Sequence, residues 1–393
     1  MTTVDLIYFN AGGGHRAAAQ ALEAAIREQG LPWRTRLVNL VDVLDPNGRF
    51  RQLAGFAPED LYNKRLARGW TLGLAQELKL LQGMIRMGHA AMLKPLVQHW
   101  ARTEPDLVVS LIPNFNRVLF ESVARALPGV PYVTVLTDIA DHPPHFWIEP
   151  DQAQYFVCGS ARAVEQALAA GHMGDRIFRT SGMILRPDFY RESAVDRDAE
   201  RARHGIAQGE PLGIVMFGGQ GSAQMKRIAT LLRERPLVLM CGHNRELAAA
   251  LRAMHHPAPR IVVEFTPDVQ RWMRLADYFI GKPGPGCLSE ALQMGLPVLT
   301  TRNAWTMPQE RYNTEWVGEL GVGIVHRSMR ELPGAVDTLV ARLPELRANV
   351  ARVHNRAVFE LPGILGQILR RGAPGADPRS ASPRTEGVET TLR

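Results

Sequence analysis

The sequence predicts an α/β protein with two halves, each built around a parallel β-sheet. Three observations indicate this fold class. The chain of 393 residues is longer than one ordinary domain. Its apolar, β-prone runs alternate with loops and amphipathic helix candidates, as right-handed crossovers between parallel strands require. A polar stretch at 187–211 interrupts this order, which then begins again. We therefore expect two Rossmann-like, doubly wound domains.

The first half opens with a strand candidate at 4–9 and continues with further candidates at 106–112, 132–137 and 155–160. After the first strand, helical spacing places small and apolar side chains on one face, namely Ala18, Ala21, Leu22, Ala25 and Ile26. Strand, tight turn and helix thus follow one another. An N-terminal domain is expected over 1–195.

The second half repeats strand, glycine-rich turn and helix. Its strand candidates lie at 212–217, 236–242 and 276–281, and the first and last lead into GGQGS and KPGPG. A second domain is expected over 205–345.

The end of the chain differs from both halves. Helical spacing predicts one more amphipathic helix, formed around Leu346, Val350, Val353 and Ala357. Pro362 is expected to interrupt it within a C-terminal segment 346–370. Residues 371–393 have too few apolar side chains to offset the entropy of ordering, so they are predicted to be disordered.

Composition narrows the cellular setting. Lys and Arg number 46 against 39 Asp and Glu, which gives a net charge of +7. That excess indicates an anionic neighbour, either nucleic acid or an acidic membrane surface. The cysteines Cys158, Cys241 and Cys287 form no CxxC pair, so neither a disulfide framework nor a zinc ribbon is expected. With no secretory leader or membrane span evident, we expect a cytoplasmic protein.

A basic and apolar insertion covers residues 49–102. It holds Arg49, Arg51, Lys64, Arg65, Arg68, Lys79, Arg86, Lys94 and Arg102 against Glu59, Asp60 and Glu77. Apolar side chains are interleaved with them: Phe50, Phe56, Trp70, Leu72, Leu74, Leu78, Leu80, Leu81, Met84 and Met87. This composition fits peripheral contact with an anionic bilayer at the inner membrane surface. A helical insertion whose basic side is only solvated is the alternative.

The stretch AGGGHRA (11–17) suggests an anion site, because a helix start offers unpaired amides and the positive end of the helix dipole. It also satisfies the G-x-G-x-x-A pattern of dinucleotide-binding folds, but the acid expected about 20 residues later is missing, which disfavours NAD. His15 lies in the first helical turn. The dipole there favours the neutral imidazole that a general base requires.

The stretch YFIGKPGPGCLSEALQMGLPVL (278–299) is the most specific in the chain. Gly284 and Gly286 allow close backbone approach, and Lys282 adds positive charge at the end of the strand. Glu290 is expected in the first turn of the next helix, where a carboxylate could bind a ribose diol. Gln309 and Glu310, in the polar loop that follows, are side-chain types that bind sugar hydroxyls.

The two glycine motifs together resemble the monogalactosyldiacylglycerol synthase group of glycosyltransferases, relatives of the peptidoglycan N-acetylglucosaminyltransferase. TDIADHPPHFW (137–147), MFGGQGS, LMCGHN, EFTPDVQRWMRLAD and PQERYN match that pattern in order over about residues 1–370. The resemblance implies the GT-B fold, in which two Rossmann-like domains face a central cleft. It further implies an inverting transfer of a hexose from a UDP-sugar to a membrane lipid of the diacylglycerol type.

The resemblance also implies roles for particular residues. His15 and Asp138 would be catalytic. The acceptor side would include Gly13, His142, His145 and Trp147, with either histidine taking the place of the family's single one. The donor would bind Gly14, Gly219, Gln220, Gly221, Ser222, Gly242, Asn244, Phe265, Thr266, Lys282, Gly284, Pro285, Gly286, Glu290, Gln309 and Glu310. The segment 346–370 would return to the N-terminal domain, and the insertion would contact the membrane.

Other functions remain as alternatives. Asp138, Asp141, His142 and His145 are residue types that could bind zinc, but they lack a distant matching cluster, so no metal and no cofactor are expected. A UDP-sugar epimerase of the same fold would need no basic insertion. A non-catalytic sugar-nucleotide sensor is a further possibility. The insertion carries no recognisable nucleic-acid motif, so no nucleic-acid partner is expected.

Overall fold

The computed structural model describes residues 1–10, 13–46, 74–192 and 195–372. In the first half, the described strands form one six-stranded parallel sheet in the order β2-β1-β3-β4-β5-β6. They are β1 (Thr2–Tyr8), β2 (Trp33–Asn39), β3 (Leu107–Ser110), β4 (Tyr132–Val135), β5 (Tyr155–Cys158) and β6 (Ile177–Arg179). β3, β4 and β5 are buried throughout, which explains their continuous apolar sequences.

Helices cover this sheet. They are α1 (Gly14–Glu28), α2 (Leu40–Leu44), α3 (Leu74–Met87), α4 (His89–Thr103), α5 (Asn116–Ala126) and α6 (Ala161–Ala169). α1 buries the face that helical spacing predicted, including Ala18, Leu22 and Ile26. Its N-terminus follows Gly13, whose φ of 79° lies in the left-handed region that glycine tolerates.

The second half has its own six-stranded parallel sheet, in the order β12-β11-β10-β7-β8-β9. Its strands are β7 (Gly213–Met216), β8 (Leu237–Gly242), β9 (Arg260–Glu264), β10 (Tyr278–Gly281), β11 (Val298–Thr301) and β12 (Gly323–His326). The helices of this half are α7 (Arg197–Arg203), α8 (Gln224–Leu231), α9 (Arg245–Arg252), α10 (Val269–Leu275), α11 (Pro285–Gln293), α12 (Arg311–Glu319) and α13 (Leu332–Ala341). The predicted fold class, with two parallel α/β sheets, is confirmed.

The end of the described chain corrects one prediction. The expected single helix is two helices, α14 (Leu343–Val350) and α15 (Ala357–Arg371). The chain breaks where Asn355 accepts the amide of Ala357 and donates to the Met183 carbonyl. Pro362 lies inside α15, where packing of the buried helix face offsets the hydrogen bond that proline cannot make.

α15 packs on the first half of the molecule. Its buried residues Leu361, Leu365 and Ile368 share a core cluster with Val4 and Leu22 of the first sheet and α1. The described chain therefore passes through the second half and returns to pack against the first. The limits predicted for the two domains stay predictions.

Two sequence predictions fall partly or wholly outside the described residues: the part of the basic insertion before 74, and the predicted disorder of the C-terminal tail beyond 372. In the described segments, none of the helices combines the length and the apolar character needed to span a bilayer.

Candidate active site

A cavity of about 1820 Å³ lies where the carboxyl ends of both sheets meet. Loops that follow β1, β3 and β4 line it from the first half, and loops that follow β7, β10, β11 and β12 line it from the second. Open parallel sheets bind ligands at this edge, because crossover loops and helix N-termini converge there. The cavity is therefore the candidate active site.

Four residues of the first half form a contact cluster at this edge: His15, Thr137, Asp138 and Trp147. We name it the catalytic cluster for the role proposed for it below. The His15 Nδ1 atom lies 3.1 Å from the Thr137 hydroxyl. The Trp147 indole donates a 2.9 Å hydrogen bond to Asp138 Oδ2. The His15 and Trp147 rings lie 6.0 Å apart. Because Trp147 is fully buried, it holds Asp138 from behind the cavity wall.

Burial gives the two titratable members of this cluster opposite shifts. It lowers the pKa of His15 to about 4, against a smaller opposing effect of a hydrogen bond with the Leu111 backbone. From the sequence we expected the helix dipole to keep the His15 imidazole neutral. In the structure, burial is the main cause of its lowered pKa. Burial also raises the pKa of Asp138 to about 7. The bond from Trp147 opposes that rise, and the negative charge of Glu310 adds to it.

The turn GGQGS (218–222) forms part of the opposite wall. Gly242 supports it from behind: its φ is 57°, and a Cβ atom there would collide with the Gly219 carbonyl oxygen. A Cβ atom at Gly221 would lie 2.7 Å from the Cys241 carbonyl oxygen. The His243 amide donates a hydrogen bond to the Gly219 carbonyl, which joins the turn at Gly242 to the turn GGQGS. Glycine at 221 and 242 therefore lets the turn lie flat against its neighbour.

The start of α11 forms the next part of that wall. Gly284 is the N-cap and Pro285 the first helical residue, a position where proline is favoured because its missing N–H has no helical partner. Gly286 and Cys287 follow and also line the cavity. A helix N-terminus that faces a cavity presents unpaired amides and positive dipole charge, which suits an anion.

Lys282 and Glu310 form an ion pair in this wall, with 2.9 Å between Nζ and Oε1. The Glu310 side chain is buried and the Lys282 side chain is half-buried. Asn313 donates a 2.7 Å hydrogen bond to the Pro283 carbonyl and so fastens the loop. Lys282 therefore acts together with a carboxylate rather than as a separate positive charge.

Glu290 does not lie where the sequence predicted it. We expected this residue in the first helical turn, but α11 begins at Pro285, so Glu290 lies in the second turn, and the first turn has no acid. It is half-buried, and burial raises its pKa to about 7. It is not among the residues that line the cavity. Its proposed contact with ribose stays a prediction.

Most of the predicted site residues meet in the cavity: Gly14, His15, Asp138, Gly219, Gln220, Gly221, Ser222, Lys282, Gly284, Pro285, Gly286, Gln309 and Glu310. Others lie outside its lining: Gly13, His142, His145, Trp147, Gly242, Asn244, Phe265, Thr266 and Glu290. Local contacts account for several of these. Asn244 caps α9 by accepting the Leu247 amide, and the exposed Phe265 ring stacks on His243 at 3.9 Å.

The candidate zinc ligands are used to organise their own loop. Asp141 accepts the backbone amides of His145 at 3.0 Å and Trp147 at 2.6 Å, while Asp138 accepts the Trp147 indole. Across the described ranges, no group of three or more His, Cys, Asp or Glu side chains is arranged to hold a metal ion. The expectation that no metal is needed stays a prediction.

Sequence reasoning missed part of the cavity lining. Thr137 stands beside Asp138, and Trp305 and Arg327–Arg330 follow β11 and β12. In the first half, Phe9 and Phe115 follow β1 and β3. Each of these lies just beyond the carboxyl end of a strand, so the rule for ligand sites in parallel sheets was the signal that could have found them.

Comparison with known proteins sets this site in context. No protein-family model matches the chain. A probable monogalactosyldiacylglycerol synthase 2 from Oryza sativa subsp. indica is 28% identical over 348 residues, covering 83% of this chain and 71% of the relative. Monogalactosyldiacylglycerol synthase 2 from Arabidopsis thaliana is 26% identical over 406 residues, covering 94% of this chain and 81% of the relative.

Solved structures agree on the fold. MurG of Acinetobacter baumannii has a TM-score of 0.59 at 14% identity and covers 94% of this chain and 100% of its own. The glycosyltransferase VinC has a TM-score of 0.58 at 14% identity with the same coverage. The predicted class, a glycosyltransferase with the GT-B fold, is confirmed. Within that class, the sequence is similar to monogalactosyldiacylglycerol synthases, so the predicted resemblance is also confirmed.

Proposed function

We propose that this protein transfers a hexose from a UDP-sugar to a hydroxyl group of a diacylglycerol-type lipid. The names of the plant relatives support a galactolipid product. The observation that carries the proposal is the facing arrangement in one cavity. His15 and Asp138 lie on one wall, and a glycine turn and a helix N-terminus lie on the other.

This arrangement suits a single displacement at the anomeric carbon. The acceptor hydroxyl approaches from the wall of the catalytic cluster, and UDP departs toward Gly218–Ser222 and the start of α11. The new bond forms between the acceptor oxygen and the anomeric carbon while the bond to the diphosphate oxygen breaks. Because the nucleophile and the leaving group occupy opposite sides, the configuration at that carbon inverts.

The catalytic cluster receives the proton of the acceptor hydroxyl. A neutral imidazole at His15 orients that hydroxyl or accepts its proton, and the Asp138 carboxylate, once ionised, is a second acceptor in the same wall. On the donor side, helix amides and Lys282 stabilise the charge that develops on UDP. Transfer in this scheme uses no metal ion, so excess EDTA leaves the rate unchanged.

The protein would meet its lipid at an anionic membrane surface. α3 supports this part of the proposal, because Leu80, Met84 and Met87 lie one helical turn apart and are 63%, 49% and 80% exposed. An exposed apolar stripe on a helix suits insertion at the boundary of headgroups and acyl chains.

A donor panel tests the proposal. The purified protein is incubated with UDP-galactose, UDP-glucose, UDP-N-acetylglucosamine or UDP-glucuronate and with dioleoylglycerol in vesicles, and the lipids are analysed by mass spectrometry and NMR. We expect one glycosylated diacylglycerol with inverted anomeric configuration. His15→Ala and Asp138→Asn should each lower kcat by about 100-fold or more while UDP affinity stays near that of the wild type.

The control is Glu165→Gln, which changes an exposed carboxylate of α6 that lies outside the cavity. No sugar transfer to lipid from any donor would reject the proposal. Conversion of the UDP-sugar to an isomer without any acceptor would instead identify an epimerase. Binding of UDP-sugar without turnover would identify a sensor.

A further inference from the structure

One end of the cavity is apolar, unlike the donor end. Its described lining there comes from five segments of the first half, and its apolar members are Phe9, Val41, Leu44, Leu78, Leu81, Pro113, Phe115 and Phe146. The Phe9 and Phe115 rings meet edge to face at 5.2 Å. This apolar end is part of the same cavity as His15 and Asp138. We call it the apolar channel.

α3 separates the apolar channel from the outer surface. Leu78 packs on the core cluster that contains Phe146 and Trp147, and Leu81 lines the cavity one turn later. Leu80 and Met84 are on another face and are exposed. α3 thus carries apolar side chains both toward the channel and toward the outer surface. An apolar molecule could move along this helix from the membrane surface into the channel.

The volume leaves room for a second molecule beside the donor. Pockets that enclose ligands of drug size measure roughly 300–1,000 Å³. The cavity, at about 1820 Å³, exceeds that range, and a UDP-sugar alone would leave several hundred Å³ unfilled. The space is lined by phenylalanine, leucine and valine side chains beside Asp42 and Asp45, so it suits a molecule that has both an apolar chain and a small polar group.

The charge near the channel selects among lipids. Asp42 and Asp45 line the same end of the cavity, and the described lining residues of the first half include no Lys or Arg. The exposed Asp42 carboxylate disfavours an anionic headgroup. A headgroup with only hydroxyl and ester groups avoids that cost.

We propose that the apolar channel between α2 and α3 holds one acyl chain of a neutral lipid acceptor while its hydroxyl lies at His15 and Asp138. This inference rests on the proposed function and extends it. The enzyme draws one chain out of the bilayer during transfer, rather than reacting with a headgroup whose chains both remain in the membrane.

Photo-crosslinking tests the position of the chain. The full-length protein is mixed with UDP and a diacylglycerol that carries a diazirine at the end of one acyl chain, irradiated, digested with trypsin and sequenced by mass spectrometry. We expect labels in peptides 37–49 and 103–117, which carry Leu44 and Phe115. Unlabelled dioleoylglycerol should suppress them. Labels confined to Leu80, Met84 and Met87 would overturn the proposal.

Kinetics with filled channels provide a second test. Leu44→Trp and Leu81→Trp place bulk in the channel, and Leu168→Trp is the matched control on the exposed surface of α6. Rates are compared for dihexanoyl-, dioctanoyl- and didecanoylglycerol at equal mole fraction in excess nonionic detergent. Relative to wild type, the channel variants should lose at least about tenfold more kcat/KM with didecanoylglycerol than with dihexanoylglycerol, because the added indole ring leaves no room for the longer chain. The control should lose equally little with all three.

The two tests separate this inference from the proposed function. Wild-type transfer with equal losses for all chain lengths would reject the channel and leave the transferase function intact. Crosslinks in the channel without sugar transfer from any donor would retain the binding site and reject the transferase function.

Discussion

Asp138 and His15 lie on the same wall of the cavity, yet burial moves their pKa values in opposite directions. Burial penalises the charged form of each group. The imidazole, with a pKa near 4, is therefore neutral above about pH 5, and the carboxyl, with a pKa near 7, ionises only near neutrality. Of the two, only Asp138 changes its protonation state in the neutral range, so this residue can make activity depend on pH there.

The first prediction concerns the pH profile of kcat. If the ionised Asp138 carboxylate takes part, kcat rises with pH through about 7, because the group must lose its proton. Asp138→Asn should remove that limb and leave a low, flat profile. The measurement is kcat at saturating donor and acceptor between about pH 5 and pH 9.

Glu165→Gln serves as the control for this profile and should keep the limb. Glu290 also has a pKa near 7, so UDP affinity is measured across the same range to detect its ionisation separately. A wild-type kcat that stays flat between about pH 5 and pH 9 would assign proton acceptance to His15 instead, because its imidazole is already neutral throughout that range.

The second prediction separates two glycines that touch each other. Gly242→Ala would force a side chain into the left-handed region and against the Gly219 carbonyl, so we expect a loss of about 2–4 kcal/mol in unfolding free energy. Gly219→Ala has open space around its Cβ position and lines the cavity. It should change stability little and raise the donor KM. Denaturant unfolding and donor kinetics measure both, and equal stability of the two variants would contradict the prediction.

At the scale of elements, α3 is the test of membrane contact. Leu80→Glu combined with Met84→Glu places two charges on its exposed apolar stripe. We expect at least about tenfold weaker binding to vesicles of phosphatidylglycerol and phosphatidylcholine, measured by sedimentation, because the stripe can no longer enter the acyl boundary.

Leu168→Glu combined with Met173→Glu is the matched control for that experiment. These residues are 51% and 59% exposed in the same half but lie outside α3. If both double variants lose vesicle binding equally, the added negative charge explains the loss, and α3 has no special role in membrane contact.

The elements show where sequence reasoning succeeds. α1 was predictable because its apolar side chains recur at helical spacing, and seven of the twelve described strands were predictable because each is a local apolar run: β1, β3, β4, β5, β7, β8 and β10. The break between α14 and α15 was not, since Asn355 bonds to Met183, far away in sequence. The apolar channel was not predictable for the same reason. Its walls come from α2, α3 and the segments that follow β1, β3 and β4, which only the fold brings together.

At the scale of the whole molecule, charge is distributed along the cavity. The basic side chains in its described lining, apart from His15, all come from the second half: Arg227, Lys282, Arg327 and Arg330. The three arginines are exposed at the donor wall. The acceptor end carries Asp42 and Asp45 instead. A dianionic UDP-sugar would therefore be attracted to the wall of the second half before it binds.

This distribution predicts that donor capture depends on salt. A rise in NaCl from about 0.05 M to about 0.5 M shortens the screening length severalfold, so kcat/KM for the UDP-sugar should fall by about fivefold. Arg327→Gln combined with Arg330→Gln should lower kcat/KM at low salt and reduce the effect of salt on kcat/KM to less than about twofold.

Arg233→Gln combined with Arg352→Gln is the control: it removes equal charge from exposed positions outside the cavity and should behave like wild type. Equal flattening in both double variants would mean that net charge, rather than the arginines at the donor wall, attracts the nucleotide.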